Sequence, residues 1–405
     1  MGVDDSLLPA AAYLTGPFAG DVLRPAIERA GGVLRSHRCT RVYYRPGHDL
    51  VAQFRADIDW NDGRTRRETI LAATTISGPP PGTLAVTAQT PQDELSVGVW
   101  RWPFDPALPA LEASVRSTAD RLVAAGLVDD GAHVEVDVVA YRPTERAVLR
   151  VRATESTWYL KLGRPADAPN ILARHVLLRS HGLPVPDVVA DDPDQGWMLL
   201  TELAGPTLRD LIKRDATTWI EPDSFRGLID QLASVDGGGL SAKRSRITDA
   251  PFHASMLLAV LPEERDRLEP LLRWLSTEVA LANERPRGFV HGDLHESQLI
   301  VEGGRIVGLL DIDEAGIGDP IDDIAVPVAH LGHRSLSAPN AHRVENFADA
   351  LVASCSDNHE PRDIAVGTVA VLAGLATAPF RTQSTGWQER ISAVLDLIER
   401  TLPSS

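Results

Sequence analysis

The chain has 405 residues, of which 43% are hydrophobic and 24% are charged, and its net charge is −16. These proportions are ordinary for a folded globular protein and exclude a chain that is disordered throughout. The acidic balance argues against a general nucleic-acid surface, because binding to phosphate backbones depends on clustered Lys and Arg. At roughly 150 residues per domain, the length predicts more than one domain.

Three features of the sequence bear on location. Cys39 and Cys355 are the only cysteines, too few for a disulfide framework or a cysteine-based zinc site. Residues 1–5 lack the basic and apolar runs of a signal peptide. The most apolar helical stretch, Ile364 to Pro379, falls short of the roughly 20 residues that span a bilayer and is expected to be a buried helix. We therefore expect a cytoplasmic protein with reduced thiols and no membrane partner.

The first hundred residues predict helices followed by a β-meander. Leu7 to Ala30 can hold one or two short helices. Five strand-like runs follow, with turn-forming Pro, Gly, Asn and Asp residues between several of them. They cover residues 39–44, 50–56, 69–73, 83–87 and 95–99. Two interpretations remain open for this segment: a β-rich cap, or a plain N-terminal extension or dimerisation module.

The next hundred residues begin with an amphipathic helical pattern and then predict a second group of strands. Residues 134–141, 147–152 and 157–162 are expected to be three consecutive antiparallel strands, and Lys161 lies in the third. Residues 196–205 are expected to be a last strand that runs into a linker. From residue 205 onward the pattern is mainly helical, with helices predicted at 208–216, 225–235, 252–261, 268–282, 324–331, 344–354, 364–376 and 387–402.

The most informative stretch runs from Phe289 to Ile300 and is followed by residues 309–313. Apolar, strand-like segments alternate with polar loops, and acids or amides stand where the strands end. Phosphoryl transfer needs a carboxylate to orient the attacking hydroxyl and oxygen ligands that hold magnesium against the nucleotide phosphates. Asp293, Gln298 and Asp311 are able to supply these groups.

These residues resemble the aminoglycoside phosphotransferase family, which shares the protein-kinase-like fold. That family carries a His-Gly-Asp, four residues, Asn loop, and residues 291–298 read His-Gly-Asp-Leu-His-Glu-Ser-Gln. A second element, Gly-Asp-Pro-Ile-Asp-Asp-Ile-Ala at residues 318–325, is similar to the family's Gly-Asp-Pro-x-x-Asp-Leu-Ala. Gln298 departs from the usual Asn, and actinobacterial maltokinases and glucosamine kinases of the same superfamily look like this.

The resemblance implies an α+β, bilobal fold and a set of roles. The expected segments are a β-rich cap at 1–105, an antiparallel N-lobe at 106–204 and a helical C-lobe at 205–405. The implied cofactors are ATP and Mg²⁺. The implied site consists of Asp293 as the acceptor-orienting base, His291 bracing the loop, Gln298 and Asp311 as magnesium ligands, Lys161 on the phosphates, Glu202 and Leu203 beside the adenine, and Asp313 and His295 near the substrate or the metal.

Two departures concern the nucleotide side of the site. The turn at residues 142–146 contains no glycine, so a glycine-rich phosphate loop is missing. The helix expected at residues 170–181 has no acid to pair with Lys161. The acid could come from Asp167, or Lys161 could be held by Asp311 and phosphate. The alternative is that Lys161 is an ordinary lysine of an edge strand, without a nucleotide-binding role.

The function that these features favour is phosphorylation of a hydroxyl on a sugar or aminosugar, such as a glucosamine- or maltose-like compound. The first alternative is an aminoglycoside or antibiotic O-phosphotransferase, and the second is a catalytically silent kinase-like binding module. The expected partner is a small molecule, with no nucleic acid, and the protein is expected to be a monomer or a homodimer.

Overall fold

The computed structural model describes residues 7–89, 94–153, 156–237, 239–240, 245–282 and 285–403. The predicted absence of a signal peptide at residues 1–5 lies outside these residues. The fold is mixed α+β, with antiparallel sheets in the first half and helices in the second, which confirms the predicted fold class. The chain divides into two compact units, Met1–Ala168 with Ala190–Leu199 and Ala378–Trp387, and Pro169–Val189 with Leu200–Thr377 and Gln388–Ser405.

The first sheet of unit 1 contains all five strands expected before residue 100. Its order is β1-β2-β3-β5-β4 and the pairs are antiparallel. Alternating burial along β1 and β4 is typical of strands with one face on the core. The elements are α1 (Leu8–Thr15), α2 (Gly20–Arg29), β1 (Gly32–Arg45), β2 (Asp49–Trp60), β3 (Thr65–Thr75), β4 (Leu84–Gln89) and β5 (Glu94–Arg101).

The second sheet has the order β6-β7-β8-β10-β9. The first three strands are consecutive and antiparallel, as the sequence predicts, and every second residue of β7 is buried. The preceding helical segment is split in two. The elements are α3 (Leu111–Arg116), α4 (Ala119–Ala124), β6 (Val134–Arg142), β7 (Arg146–Ala153), β8 (Ser156–Gly163), α5 (Ala168–Ser180), β9 (Val188–Asp192) and β10 (Trp197–Thr201).

Unit 2 is mainly helical and also contains two short two-stranded antiparallel sheets, one of which joins strands that are not consecutive in the chain. Each expected helix is present, although most begin a few residues earlier than the pattern indicates. The elements after residue 205, all in unit 2 except α13, are α6 (Leu208–Lys213), α7 (Pro222–Ala233), α8 (Arg246–Val260), α9 (Arg265–Ala282), β11 (Gly288–Val290), β12 (Leu299–Glu302), β13 (Arg305–Leu309), β14 (Gly316–Gly318), α10 (Ile321–Ser335), α11 (Ala341–Cys355), α12 (Pro361–Ala376), α13 (Ala378–Arg381) and α14 (Trp387–Thr401).

The apolar helix α12 packs against α8 and α10. Together with α13 it forms the one stretch in the described part of the chain, Pro361–Arg381, that is long and apolar enough to cross a membrane. At 21 residues it is longer than the sequence suggested, so the expectation that it falls short of a span is wrong. Because 67% of its most apolar window is buried inside the protein, the predicted buried helix is confirmed.

The three predicted segments do not coincide with the two units. Both five-stranded sheets belong mainly to unit 1, so the segment before residue 105 and the strands after it cluster together. The boundaries at 105 and 204 therefore stay predictions.

Candidate active site

Two short antiparallel pairs position the loop at residues 291–298. β11 pairs with β14, and β12 pairs with β13. The loop leaves the buried end of β11 at Val290 and re-enters at Leu299, which lies opposite Leu309. Polar side chains of the loop are thus carried between strands whose own side chains are in the core.

His291 connects the loop to the end of β13. Its Nδ1 accepts a hydrogen bond from the backbone N–H of Asp293 at 3.2 Å, so the ring proton of a neutral imidazole is on Nε2. Nε2 lies 2.9 Å from the carbonyl oxygen of Leu310 and donates to it. One tautomer satisfies both contacts, and the fully buried ring fixes the loop relative to the residue before Asp311.

Asp323, near the start of α10, holds the backbone of the same loop. Its two carboxylate oxygens accept from the N–H groups of His291 at 2.6 Å and Gly292 at 2.7 Å. Asp323 is buried, so these bonds replace the water that the two amides would otherwise bind. Gly292 has a φ of +79°, a conformation that glycine adopts without strain. Asp319 instead accepts from Ile321 and pairs with Arg285.

Asp293 is partly buried and contacts an arginine. Nη2 of Arg246 donates to Oδ1 of Asp293 at 2.8 Å. Burial is the largest influence on the pKa of Asp293 and acts to raise it, but the charges of Arg246, His295, His291 and His330 together outweigh burial. The pKa therefore lies below its ordinary value, and the carboxylate is ionised at neutral pH.

Gln298 and Asp311 are brought to neighbouring positions by the β12–β13 pair. The N–H of Leu310 donates to the carbonyl oxygen of Gln298 at 2.8 Å, so Asp311 follows directly after the residue bonded to Gln298. Asp311 has a φ of +52°, a left-handed conformation that costs energy in a non-glycine residue and is concentrated at functional sites. An amide and a carboxylate are donors that fit Mg²⁺, which prefers oxygen ligands.

A buried charge cluster lies beside Gln298. Oε1 of Glu296 accepts from Arg334 at 2.6 Å, and Oε2 lies 3.6 Å from Nδ1 of both His295 and His330. Burial acts to raise the pKa of Glu296, but the contacts with the two histidines and Arg334 lower it well below its usual range. Nε2 of His295 in turn lies 3.1 Å from the Gln298 amide. The cluster therefore orients the side chain of Gln298.

The same three residues, His295, Glu296 and His330, have the composition of a metal site. However, the two imidazoles are stacked with centroids 4.5 Å apart and planes only 2° from parallel. An imidazole binds a metal through a lone pair in its ring plane, and two stacked parallel planes do not meet at one ion. The geometry accordingly favours an ion-pair network over a second metal centre.

The remaining predicted residues lie elsewhere. Asp313 is half-buried in a short 3₁₀ turn two residues after Asp311. Lys161 is a buried residue of β8 in unit 1, opposite Val148. Glu202 is exposed and Leu203 is half-buried in the segment after β10. Their nucleotide roles stay predictions.

The glycine-free turn at residues 142–146 is fixed by side chains. Oδ2 of the buried Asp105 accepts from the Tyr141 hydroxyl at 2.7 Å and from the N–H of Thr144 at 2.9 Å. Nε of Arg164 donates to the Thr144 carbonyl at 2.6 Å. Thr144 has a φ of +61°. The turn thus adopts a glycine-like conformation that its neighbours hold in place.

Asp167, the proposed acid for Lys161, is exposed and lies in unit 1, as Lys161 does.

Sequence reasoning missed Arg246, Asp322, and the pairing of Glu296 with Arg334. The helix that carries Arg246 was expected to begin at Phe252, because Pro251 usually precedes or opens a helix. Instead α8 begins at Arg246 and contains Pro251. The contact between Glu296 and Arg334 spans 38 residues and has no local signature.

The α+β architecture and a loop that presents a carboxylate, an amide and a second carboxylate define a kinase-like phosphotransferase. The sequence profile of the Phosphotransferase enzyme family matches residues 143–354. That match covers more than half of the chain, and the chain belongs to this family.

Individual relatives are more distant. An aminoglycoside 3'-phosphotransferase of Escherichia coli is 25% identical over 189 residues, which is 44% of this chain and 70% of the relative. Among solved structures, the macrolide 2'-phosphotransferase of Brachybacterium faecium is 20% identical, covering 73% of this chain and all of its own, with a TM-score of 0.42. An ADP-bound aminoglycoside phosphotransferase is 13% identical; the match covers 71% of this chain and 100% of the other, with a TM-score of 0.48.

Proposed function

We propose that this protein transfers the γ-phosphoryl group of ATP, in the presence of Mg²⁺, to a hydroxyl of a sugar or aminosugar. The observation that carries the proposal is the loop at residues 291–298. It holds an ionised Asp293 on a fixed backbone and places Gln298 next to the strand end that bears Asp311. Such a loop supplies positioning, which is most of what phosphoryl transfer asks of a protein.

Each site residue has a distinct role in this proposal. Asp293 orients the acceptor hydroxyl, and His291 maintains the loop conformation. Gln298 and Asp311 would hold Mg²⁺, which neutralises phosphate charge when bound. Lys161 is proposed to contact the phosphates, and the backbone at Glu202 and Leu203 is proposed to contact the adenine.

Three features favour a sugar or aminosugar acceptor. Gln298 replaces the Asn that is usual in antibiotic-modifying relatives, and a β-rich segment precedes the family match, as in maltokinase-like enzymes. The net charge of −16 would also attract a cationic aminosugar. An aminoglycoside acceptor is the second candidate, favoured by the 25% identical relative named for that activity. The third, a silent binding module, is disfavoured by the joint presence of Asp293, Gln298, Asp311 and Lys161.

The test is ATP consumption measured with a panel of sugars, aminosugars and aminoglycosides, with thermal shift by ATP and Mg²⁺ as a parallel binding assay. We expect stabilisation by the nucleotide and turnover with at least one sugar or aminosugar. Turnover with aminoglycosides alone would favour the second candidate. Neither stabilisation nor turnover, with ATP or other nucleotides, would refute the kinase proposal.

We also propose a cytoplasmic location and a monomeric or homodimeric state. Both cysteines are free, and burial raises the pKa of Cys39 to about 11, so its thiol is poorly reactive. Cell fractionation and light scattering of the purified protein test these two statements.

A further inference from the structure

Arg246 contacts both the proposed base and the backbone next to it. Its guanidinium donates through Nε at 3.0 Å and Nη2 at 2.6 Å to the carbonyl oxygen of Gly292. The same Nη2 donates to Oδ1 of Asp293 at 2.8 Å. One planar group therefore fixes both the backbone before Asp293 and one oxygen of its carboxylate.

The helix end that carries Arg246 is itself held in place. Both carboxylate oxygens of Asp322 lie 3.1 Å from the backbone N–H of Arg246, and Ser245 donates its hydroxyl to Oδ1 at 3.1 Å. Asp322 is adjacent to Asp323, which binds the N–H groups of the loop. Two consecutive acids of α10 thus hold the backbone of Arg246 and the backbone of the loop that its guanidinium contacts.

We propose that Arg246 is a positioning residue for the phosphoryl-transfer reaction. It holds Oδ1 of Asp293 and leaves Oδ2 to accept a hydrogen bond from the acceptor hydroxyl. This inference rests on the proposed function and adds a residue that the family motif does not include.

Exposure distinguishes this role from a contribution to folding. The side chains of Arg246 and Asp293 are 33% and 31% exposed. An ion pair this open to water typically contributes little to the stability of a fold. A guanidinium that anchors a reacting carboxylate has a larger effect on turnover, because small misplacements of reacting groups are costly.

Arg246 also contributes to the charge state of the carboxylate. The charged and titratable groups facing Asp293 are Arg246 from α8, His291 and His295 from the loop, and His330 from α10. Arg246 is the one permanently charged group among them. Without it, the effect of burial, which raises the pKa of Asp293, is opposed less strongly.

The test compares Arg246→Gln and Arg246→Lys with wild type, using the acceptor and nucleotide found active in the panel. The matched control is Arg265→Gln, which breaks an exposed pair with Glu269 on α9. For Arg246→Gln we expect kcat to fall about 10- to 100-fold, the range of a charge-assisted hydrogen bond, with little change in the KM for ATP. The acid limb of kcat/KM should move to higher pH, and the Lys variant should recover part of both effects.

A second readout does not depend on activity. The carboxyl carbon of Asp293 is followed by NMR in ¹³C-labelled protein without substrates, with Asp293→Asn used for assignment. The pKa of Asp293 should be higher in Arg246→Gln than in wild type and unchanged in Arg265→Gln. Absence of turnover in wild type would refute the proposed function, yet this titration would still test Arg246.

The inference is overturned if the pKa of Asp293 and the acid limb stay unchanged in Arg246→Gln. It is also overturned if any loss of kcat equals the loss of folded protein measured by thermal unfolding.

Discussion

The loop at residues 291–298 and the turn at residues 142–146 both adopt a defined backbone conformation and are held in it in similar ways. Each presents backbone in a tight conformation, and each is fixed by a buried aspartate that comes from another part of the chain. Asp323 binds two loop N–H groups, and Asp105 binds the N–H of Thr144 and the Tyr141 hydroxyl. A buried carboxylate that accepts several hydrogen bonds can thus replace a run of glycines as the means of shaping a loop.

The two regions differ in what the sequence reveals. Asp323 belongs to the Gly-Asp-Pro-Ile-Asp-Asp-Ile-Ala motif, whereas Asp105 stands 39 residues before Thr144 without a recognisable pattern. In the loop at residues 291–298 the residue with a positive φ is a glycine, Gly292, whereas in the turn it is Thr144. The loop can therefore be recognised in the sequence as a motif. The sequence of the turn shows only that the expected glycine-rich motif is missing.

The largest effect on stability is expected from Asp323→Ala. The substitution leaves the N–H groups of His291 and Gly292 buried without their partner, at about 1–3 kcal/mol each. We expect the free energy of unfolding to fall by about 3 kcal/mol and turnover to fall at least about 100-fold as Asp293 loses its fixed position. Chemical denaturation and steady-state assays measure both. The exposed Asp266→Ala is the control, and similar results for the two variants would refute the role of Asp323.

Asp105→Ala tests the other region. The variant loses the acceptor for Tyr141, Thr144 and Ala107, so we expect the free energy of unfolding to fall by about 2 kcal/mol. If the turn contacts the nucleotide, the KM for ATP should rise more than the KM for the acceptor. Equal changes in both KM values would separate the turn from nucleotide binding.

Much of the fold follows from local pattern, and the supporting contacts do not. The three strands predicted between residues 134 and 162 form as expected, β7 buries every second residue, and the motif residues lie at strand ends. In contrast, Arg246 reaches Asp293 across 47 residues, and Asp105 reaches Thr144 across 39. Such contacts depend on how helices and strands pack against one another. The hydrophobic periodicity of a single sequence predicts the helices and strands but not which of them become neighbours.

The pH dependence of the free energy of unfolding tests the contacts around the loop at residues 291–298. Burial, and then repulsion by Asp319, raise the pKa of Asp322 from 3.8 to about 7. Between these values the folded state keeps a proton that the unfolded state releases, so stability falls as pH rises. We expect the contribution of Asp322 to the free energy of unfolding to fall by about 2 kcal/mol from pH 5 to pH 7, because one group changes this free energy by at most about 1.4 kcal/mol per pH unit. Denaturation of Asp322→Asn across this range should show a flatter dependence, and an equally steep one would contradict the assignment.

The smallest effect is expected from Thr144→Gly. Glycine relieves the strain of a positive φ, about 1–2 kcal/mol, but loses more conformational entropy on folding. The free energy of unfolding should therefore change by less than about 1 kcal/mol. The matched control is Thr157→Gly within β8, where glycine brings only the loss. Equal destabilisation of the two variants would show that the turn is unstrained.

The most direct test of the account is Asp293→Asn, assayed for turnover and for ATP binding in parallel. The amide keeps the shape of the side chain and still accepts a hydrogen bond from Arg246, but it does not act as the base. We predict a fall in turnover of about 10²- to 10⁴-fold, with the affinity for ATP and Mg²⁺ nearly unchanged. Near-normal turnover in Asp293→Asn would contradict the assignment of Asp293 as the acceptor-orienting base.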